Sequence, residues 1–341
     1  MFLRSDREKT CRGVLLPVVL AVVCLIDTVS HGDDVALWLE SRGFNRLLIE
    51  HLESKLPTLD GEEQADGAMR LARLYAGLLL NPRDEEDRAW LEVRGSQLLE
   101  DIPSGQADDL RVELLNGRYL AAEDVAERHR LRLDDLGEVA KAIASLDDIA
   151  SKLQVIRERT IKAVKSSARS VDRGTPYRAT SRRQRLARQE QLLRRTEYLL
   201  AWTYAYRAWL AEDEQSAEQA VEMFALVLDL ELNQIEPGQV SLDRRSEEAV
   251  AWAVLGMAFS RSMTRSSTTA MRWLDLLEIE QVPEAVSGVL PAWRLAILLE
   301  AGELSRVALL LDELEADGGV LPTTWWRLVA VHALELETAD A

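Results

Sequence analysis

Histidines, cysteines and paired carboxylates are the side chains best suited to bind metal, attack an electrophile or move a proton. This chain places them without the spacing such work needs. Its histidines are His31, His51, His129 and His332, and no two of them form a ligand spacing such as H-x-x-x-H or E-x-x-H. Both cysteines, Cys11 and Cys24, lie in the first thirty residues. Adjacent carboxylates occur at Asp33-Asp34, Glu85-Glu86, Asp108-Asp109 and Asp147-Asp148, as expected of a chain with 58 acidic residues. Such pairs read as solvated faces or helix starts, since catalytic pairing needs carboxylates that face one another in a cleft. No G-x-S-x-G elbow and no glycine-rich phosphate loop is found. The expectation is no catalytic residue, no metal and no cofactor.

The elements that would position any site are helices. The chain is 47% hydrophobic, and Leu, Ala, Glu and Arg dominate while Gly and Pro are sparse. These residues lose least on entering a helix, so the fold class predicted is all-α. Gly43 and Pro57 punctuate two short helices, an αα-hairpin, and further helices fit about 60–79, 84–101 and 106–130. Leu136, Val139, Ile143, Leu146, Ala150 and Leu153 alternate by three and four, a coiled-coil seam that Ile156 then leaves. With Leu186, Leu193 and Leu200 beyond Gly174-Thr175-Pro176, it predicts two long antiparallel helices, about 132–170 and 180–211.

The first thirty residues read as a secretory signal. Arg4, Arg7, Lys9 and Arg12 precede an uncharged apolar run, Gly13–Ile26, and Asp27-Thr28-Val29-Ser30 follows with small residues where a signal peptidase reads. Fourteen helical residues rise about 21 Å, short of a hydrocarbon core of roughly 30 Å. Cleavage after Ser30 is therefore expected, with export to the periplasm or beyond; the alternative is a retained anchor over 13–26. Val23 before Cys24 argues against lipidation. A chain starting at His31 would lack cysteine and with it disulfides and thiolate ligands.

Trp252-Ala-Val-Leu255-Gly256-Met-Ala-Phe259 resembles the first helix of a tetratricopeptide repeat, W-x2-L-G-x2-Y. Ala270, Leu274, Leu277 and Pro283 fall near that family's second-helix positions, with about two extra residues in the turn. Ala220-Val-Glu-Met-Phe224 is similar to the second-helix A-x3-F element, although its partner helix Tyr198–Leu210 lacks the Leu-Gly pair. Trp293–Glu300 with Leu304–Leu314 keeps only the tryptophan, and a helix from Thr323 caps the array. The resemblance covers about 198–337 and implies helix pairs stacked into a solenoid, with the glycine admitting a close helix and aromatics filling the gap. The organisation expected is a signal (1–30), N-terminal helix pairs (31–131), a long hairpin with a basic tip (132–211) and C-terminal tetratricopeptide-like pairs (212–341). Lytic transglycosylases, also exported superhelices, have a catalytic Glu followed by Ser; Glu40-Ser41 is similar but lacks their glycine-rich continuation.

Net charge is −17, which disfavours nucleic acid as the main partner. Residues 152–195 depart from this: 14 Lys or Arg face Glu158, Asp172 and Glu190, a net +11 that leaves −28 for the remainder. The tip, with Arg178, Arg182, Arg183, Arg185 and Arg188, would either dock on anionic lipid, an acidic partner or a polyanion, or fold against the chain's own acidic helices. Only Tyr177 and Tyr198 lie in or near it, too few aromatics for base stacking. Trp325 and Trp326 cannot face the same way on a helix, so one of them is a candidate exposed contact. The function expected is a non-enzymatic interaction or scaffold module of the cell envelope that binds a protein or peptide. The alternatives are a glycan-acting envelope enzyme and a membrane-tethered assembly factor.

Overall fold

The structure is a computed structural model that describes residues 32–339 apart from 80, 81, 83, 101–106, 132, 134, 135, 173–178, 265, 266, 280 and 317–322. The expected signal or anchor lies outside the described residues. Every regular element described is helical. None of the described helices is long and apolar enough to cross a membrane. The described residues form two compact units that divide between Leu74 and Tyr75, inside the N-terminal segment.

In the first unit α1 (Gly32–Ser41) turns into α2 (Asn45–Lys55) through Gly43 at φ +70°. The Gly43 amide bonds the Glu40 carbonyl and the Phe44 amide that of Leu39, so two carbonyls orphaned by the end of α1 are satisfied. Pro57 ends α2 in a single 3-10 turn, after which α3 (Gly61–Leu79) begins. Ala36, Leu39 and Leu48 form a small core, flanked by Val35, Leu52 and Leu74. Glu40 meets Arg70 at 2.5 Å, which gives it a structural partner.

The second unit takes up the last turn of α3, then α4 (Glu85–Glu100), α5 (Ala107–Arg130), α6 (Leu136–Asp172) and α7 (Ala179–Ala211). Gly117 of α5 lies against the backbone of Ala76; a Cβ there would stand 2.6 Å from its Cα. Helices α6 and α7 run antiparallel, because Ser170 meets Arg182, Arg157 meets Glu197 and Gln154 meets Tyr204. Ile156, which leaves the predicted seam, is buried. It belongs to a second stripe, Ala142, Leu146, Ile149, Leu153, Ile156 and Thr160, spaced four and three. Two stripes arise because α6 packs on both α5 and α7.

Beyond Thr196 almost every residue of α7 is buried, since this half lies among α5, α6, α8 (Glu214–Val227) and α10 (Glu248–Thr264). The 3-10 turn Pro237–Gln239 and short α9 (Leu242–Arg245) link α8 to α10. Then come α11 (Ser267–Leu274), α12 (Glu284–Ser287), α13 (Leu290–Glu300), α14 (Leu304–Ala316) and α15 (Thr323–Ala339). Packing follows chain order, α7 on α8, α8 on α10, α10 on α11, α11 on α13 and α13 on α14. Aromatic rings join these layers. Trp202 stacks on Tyr206 at 5.5 Å and meets Phe224 edge-on at 5.3 Å; Phe259 meets Trp209 at 5.1 Å and Trp293 at 4.9 Å. Gly256 faces the Phe224 ring, leaving no room for a side chain.

Candidate functional site

The hairpin cations fall into two sets. Near the base, carboxylates of the same chain neutralise them: Lys152 pairs with Asp148 at 2.7 Å, Arg157 with Glu197 at 3.0 Å, Arg159 with Asp108 at 2.9 Å and Arg195 with Glu113 at 2.5 Å. Glu113 is buried, and its hydrogen bond raises the Arg195 pKa above the ordinary guanidinium value despite the opposing cost of burial. Nearby Asp109 is held above the usual carboxylate range by burial, an effect that Arg195 and then Arg188 reduce. Further out, Lys162, Lys165, Arg169, Arg183, Arg185 and Arg194 are exposed and make no ion pair among the described residues. Arg188 is also exposed. Arg182 is half-buried and donates to the Ser170 carbonyl at 3.1 Å, so it ties the two helices together. Arg178 lies outside the described residues.

Trp325 is half-buried against the main core, whereas its neighbour Trp326 is 46% exposed. Their helix, α15, packs on α13, while the arginines occupy the opening turns of α7. The two sets of residues therefore form separate surfaces. Trp38 is exposed as well, resting against Phe44 at 5.8 Å.

A groove with no linear signature opens where helices end. The last turns of α7, α10 and α13 converge there, contributing Trp209, Met263 and Ile297 to an apolar lining in a volume of about 690 Å³. Around them stand Glu212, Asp213, Glu214, Glu300 and Glu303. Helix C-termini carry partial negative charge, which adds to that of the carboxylates. Asp213 lies below the ordinary carboxylate range because the Ser216 hydroxyl donates to it, with Arg207 and the Gln215 amide helping against burial. The Ser267 hydroxyl and then Arg306 hold Glu303 low in the same way. Both are paired with arginines of the chain, Asp213 with Arg207 and Glu303 with Arg306, so exposed Glu212 and Glu214 are left to attract a cationic side chain whose apolar stem lies on the lining. His332 is buried with Nε2 3.6 Å from Glu300, a structural contact beside the groove.

A second groove of about 560 Å³ runs between α4, α5 and α6, with Leu114, Val155 and Ile156 among its apolar lining residues. Its cations are tied to carboxylates: Arg118 to Asp148 at 2.6 Å, and Arg111 to Asp108 at 2.9 Å. No cluster of three or more His, Cys, Asp or Glu suited to a metal is found among the described residues. Compared with protein-family models, curated proteins and solved structures, the chain matches none of them.

Proposed function

We propose that the chain is a non-enzymatic scaffold of the cell envelope that holds a protein or peptide partner on a stack of tetratricopeptide-like helix pairs. Export rests on the leader read in residues 1–30. The pairs are the second half of α7 with α8, α10 with α11, and α13 with α14. Support for their repeat character comes from the packing of successive pairs in chain order and from Gly256, which admits the Phe224 ring of the preceding pair.

The observation that carries the reading is the groove built by the ends of α7, α10 and α13. First helices of successive pairs bring their C-termini to one side; each adds an apolar residue, and the carboxylates stand at the ends of α7 and α13. Such a surface favours a peptide with Lys or Arg next to an aliphatic or aromatic residue, the stem lying on Trp209 and the charge among the glutamates.

Selection of random displayed peptides on the purified chain tests this. Enriched peptides are expected to pair a basic with an apolar residue, and to bind less well to the Glu212→Gln, Glu214→Gln variant. Both glutamates are exposed, so the fold is spared. Exposed ion pairs contribute about 0.2–1 kcal/mol each, so affinity should fall about two- to thirtyfold. Enrichment of acidic peptides, or of none, would overturn the proposal, as would undiminished binding to the variant.

A further inference from the structure

We infer that the outer part of the α6–α7 hairpin docks onto an anionic phospholipid surface. This inference rests on the hairpin alone and stands whether or not the groove binds a peptide. Asp108, in the first turn of α5, pairs with Arg159 of α6. Helix α6 continues from there to Asp172, rising about 20 Å along its axis past this contact. Helix α7 returns over the same stretch from Ala179. The hairpin therefore outruns the α5 contacts that neutralise its base. The exposed cations described above lie on this projecting part, with Arg194 and Arg188, whose charge acts on Asp109 of α5, at its inner margin.

Lys162, Lys165 and Arg169 are three and seven positions apart, which puts them on one face of α6. Arg183, Arg185 and Arg188 decorate the opening turns of α7. Exposed carboxylates there are few, Glu158 and Glu190. Neither groove described above is lined by the outer cations. Charge spread over two projecting helices, outside both of these grooves, matches a planar array of headgroups. Ile161, Val164 and Leu186 are half-buried along the hairpin. Attraction is accordingly electrostatic and needs no apolar insertion. The rest of the chain, at −28, is repelled by the same surface, so the molecule approaches tip first. A nucleic acid is the less favoured partner, because the chain as a whole is acidic and no aromatic residue stands among the described outer cations.

The test is vesicle co-sedimentation of the full chain, comparing phosphatidylcholine vesicles with vesicles containing roughly a third phosphatidylglycerol. The readout is the part of the excess affinity for anionic vesicles that substitutions in the hairpin remove, since Arg4, Arg7, Lys9 and Arg12 of the leader favour the same vesicles but are unchanged in the variants. An excess is expected at low ionic strength and should vanish in about 0.5 M salt. Each cation removed is expected to lower it roughly fivefold. Lys162→Gln, Lys165→Gln, Arg183→Gln and Arg185→Gln together should then lower it several hundredfold. These positions are exposed and Gln is a good helix former, so circular dichroism should be unchanged. A matched change elsewhere, Arg272→Gln, should leave the excess intact. No excess for anionic vesicles, an excess that the quadruple variant keeps, or tighter tip-dependent binding to a soluble DNA duplex than to the vesicles would each overturn the inference.

Discussion

An alanine at position 256 would press its methyl group into the ring of Phe224. Cε1 and Cε2 lie 2.6 and 2.8 Å from where its Cβ must stand, with Cζ nearer still. The ring has nowhere to withdraw, being fully buried with the Trp202 indole edge-on at 5.3 Å. Alanine is favoured over glycine in a helix interior by ~1 kcal/mol. Forcing a methyl group into a filled core costs about 1–3 kcal/mol, and contacts this short place position 256 at the upper end. The expected net effect of Gly256→Ala is a loss of about 1–2 kcal/mol. Two other glycines calibrate the estimate. At Gly77 nothing lies within 4 Å of a Cβ, so alanine should stabilise by ~1 kcal/mol. At Gly117 the Cβ would stand 2.6 Å from Cα and 2.7 Å from the carbonyl oxygen of Ala76. Backbone cannot rotate aside, so Gly117→Ala should be the most damaging of the three. Denaturant titration followed at 222 nm measures all of them. A further substitution isolates the steric cause: in a Phe224→Leu background, Gly256→Ala should cost at least ~1 kcal/mol less than in the natural chain, because leucine lacks the far ring atoms. A Gly256→Ala variant as stable as the natural chain, or additive with Phe224→Leu, would refute the close approach of these helices.

Three further outcomes follow from particular contacts. Burial holds Glu123 above the ordinary carboxylate range, an effect that the Tyr119 hydroxyl opposes and Glu127 reinforces. The folded state therefore binds this proton more tightly, and the contribution of the group to stability is lost as pH rises from its unfolded value of 4.5 through the raised folded one. Glu123→Gln should then gain on the natural chain between pH 4 and pH 7 in thermal melts; a pH-independent difference would contradict the assignment. Arg195→Gln strips buried Glu113 of a charged donor and should cost about 1.5–3 kcal/mol in denaturant titrations, whereas Arg183→Gln should cost less than ~0.5 kcal/mol. Trp326→Ser should shift the melting temperature little, because its ring is 46% exposed, while Trp293→Ala removes a buried ring and should cost about 3–5 kcal/mol.

Much of the helical framework was legible because local signals set it. Gly43 adopts the left-handed turn that its position between two apolar runs implies, and Pro57 stops α2. The hairpin helices predicted at about 132–170 and 180–211 run Leu136–Asp172 and Ala179–Ala211. The seam is only half legible, because one sequence cannot say that a helix has two neighbours. Ile156 breaks a single heptad and yet completes the stripe spaced from Ala142. The acidic groove was out of reach for a similar reason. Trp209, Met263 and Ile297 come from three helices, and only the packing of their last turns makes them one surface.

Charge excess is additive and can be summed along a sequence, but neutralisation depends on what lies alongside. Arg159 and Arg183 look equivalent as letters. Arg159 stands beside Asp108, which belongs to a helix half a hundred positions earlier, and Arg195 beside Glu113 in the same helix. Helix α5 is 24 residues long and α6 is 37, so α5 spans about 36 Å against about 55 Å. The shorter helix supplies carboxylates over the length it covers, and its N-terminal end sets where the pairing by α5 stops. The basic tip is thus a consequence of unequal helix lengths as much as of composition, and this gives a run of arginines a place from which to meet an outside surface.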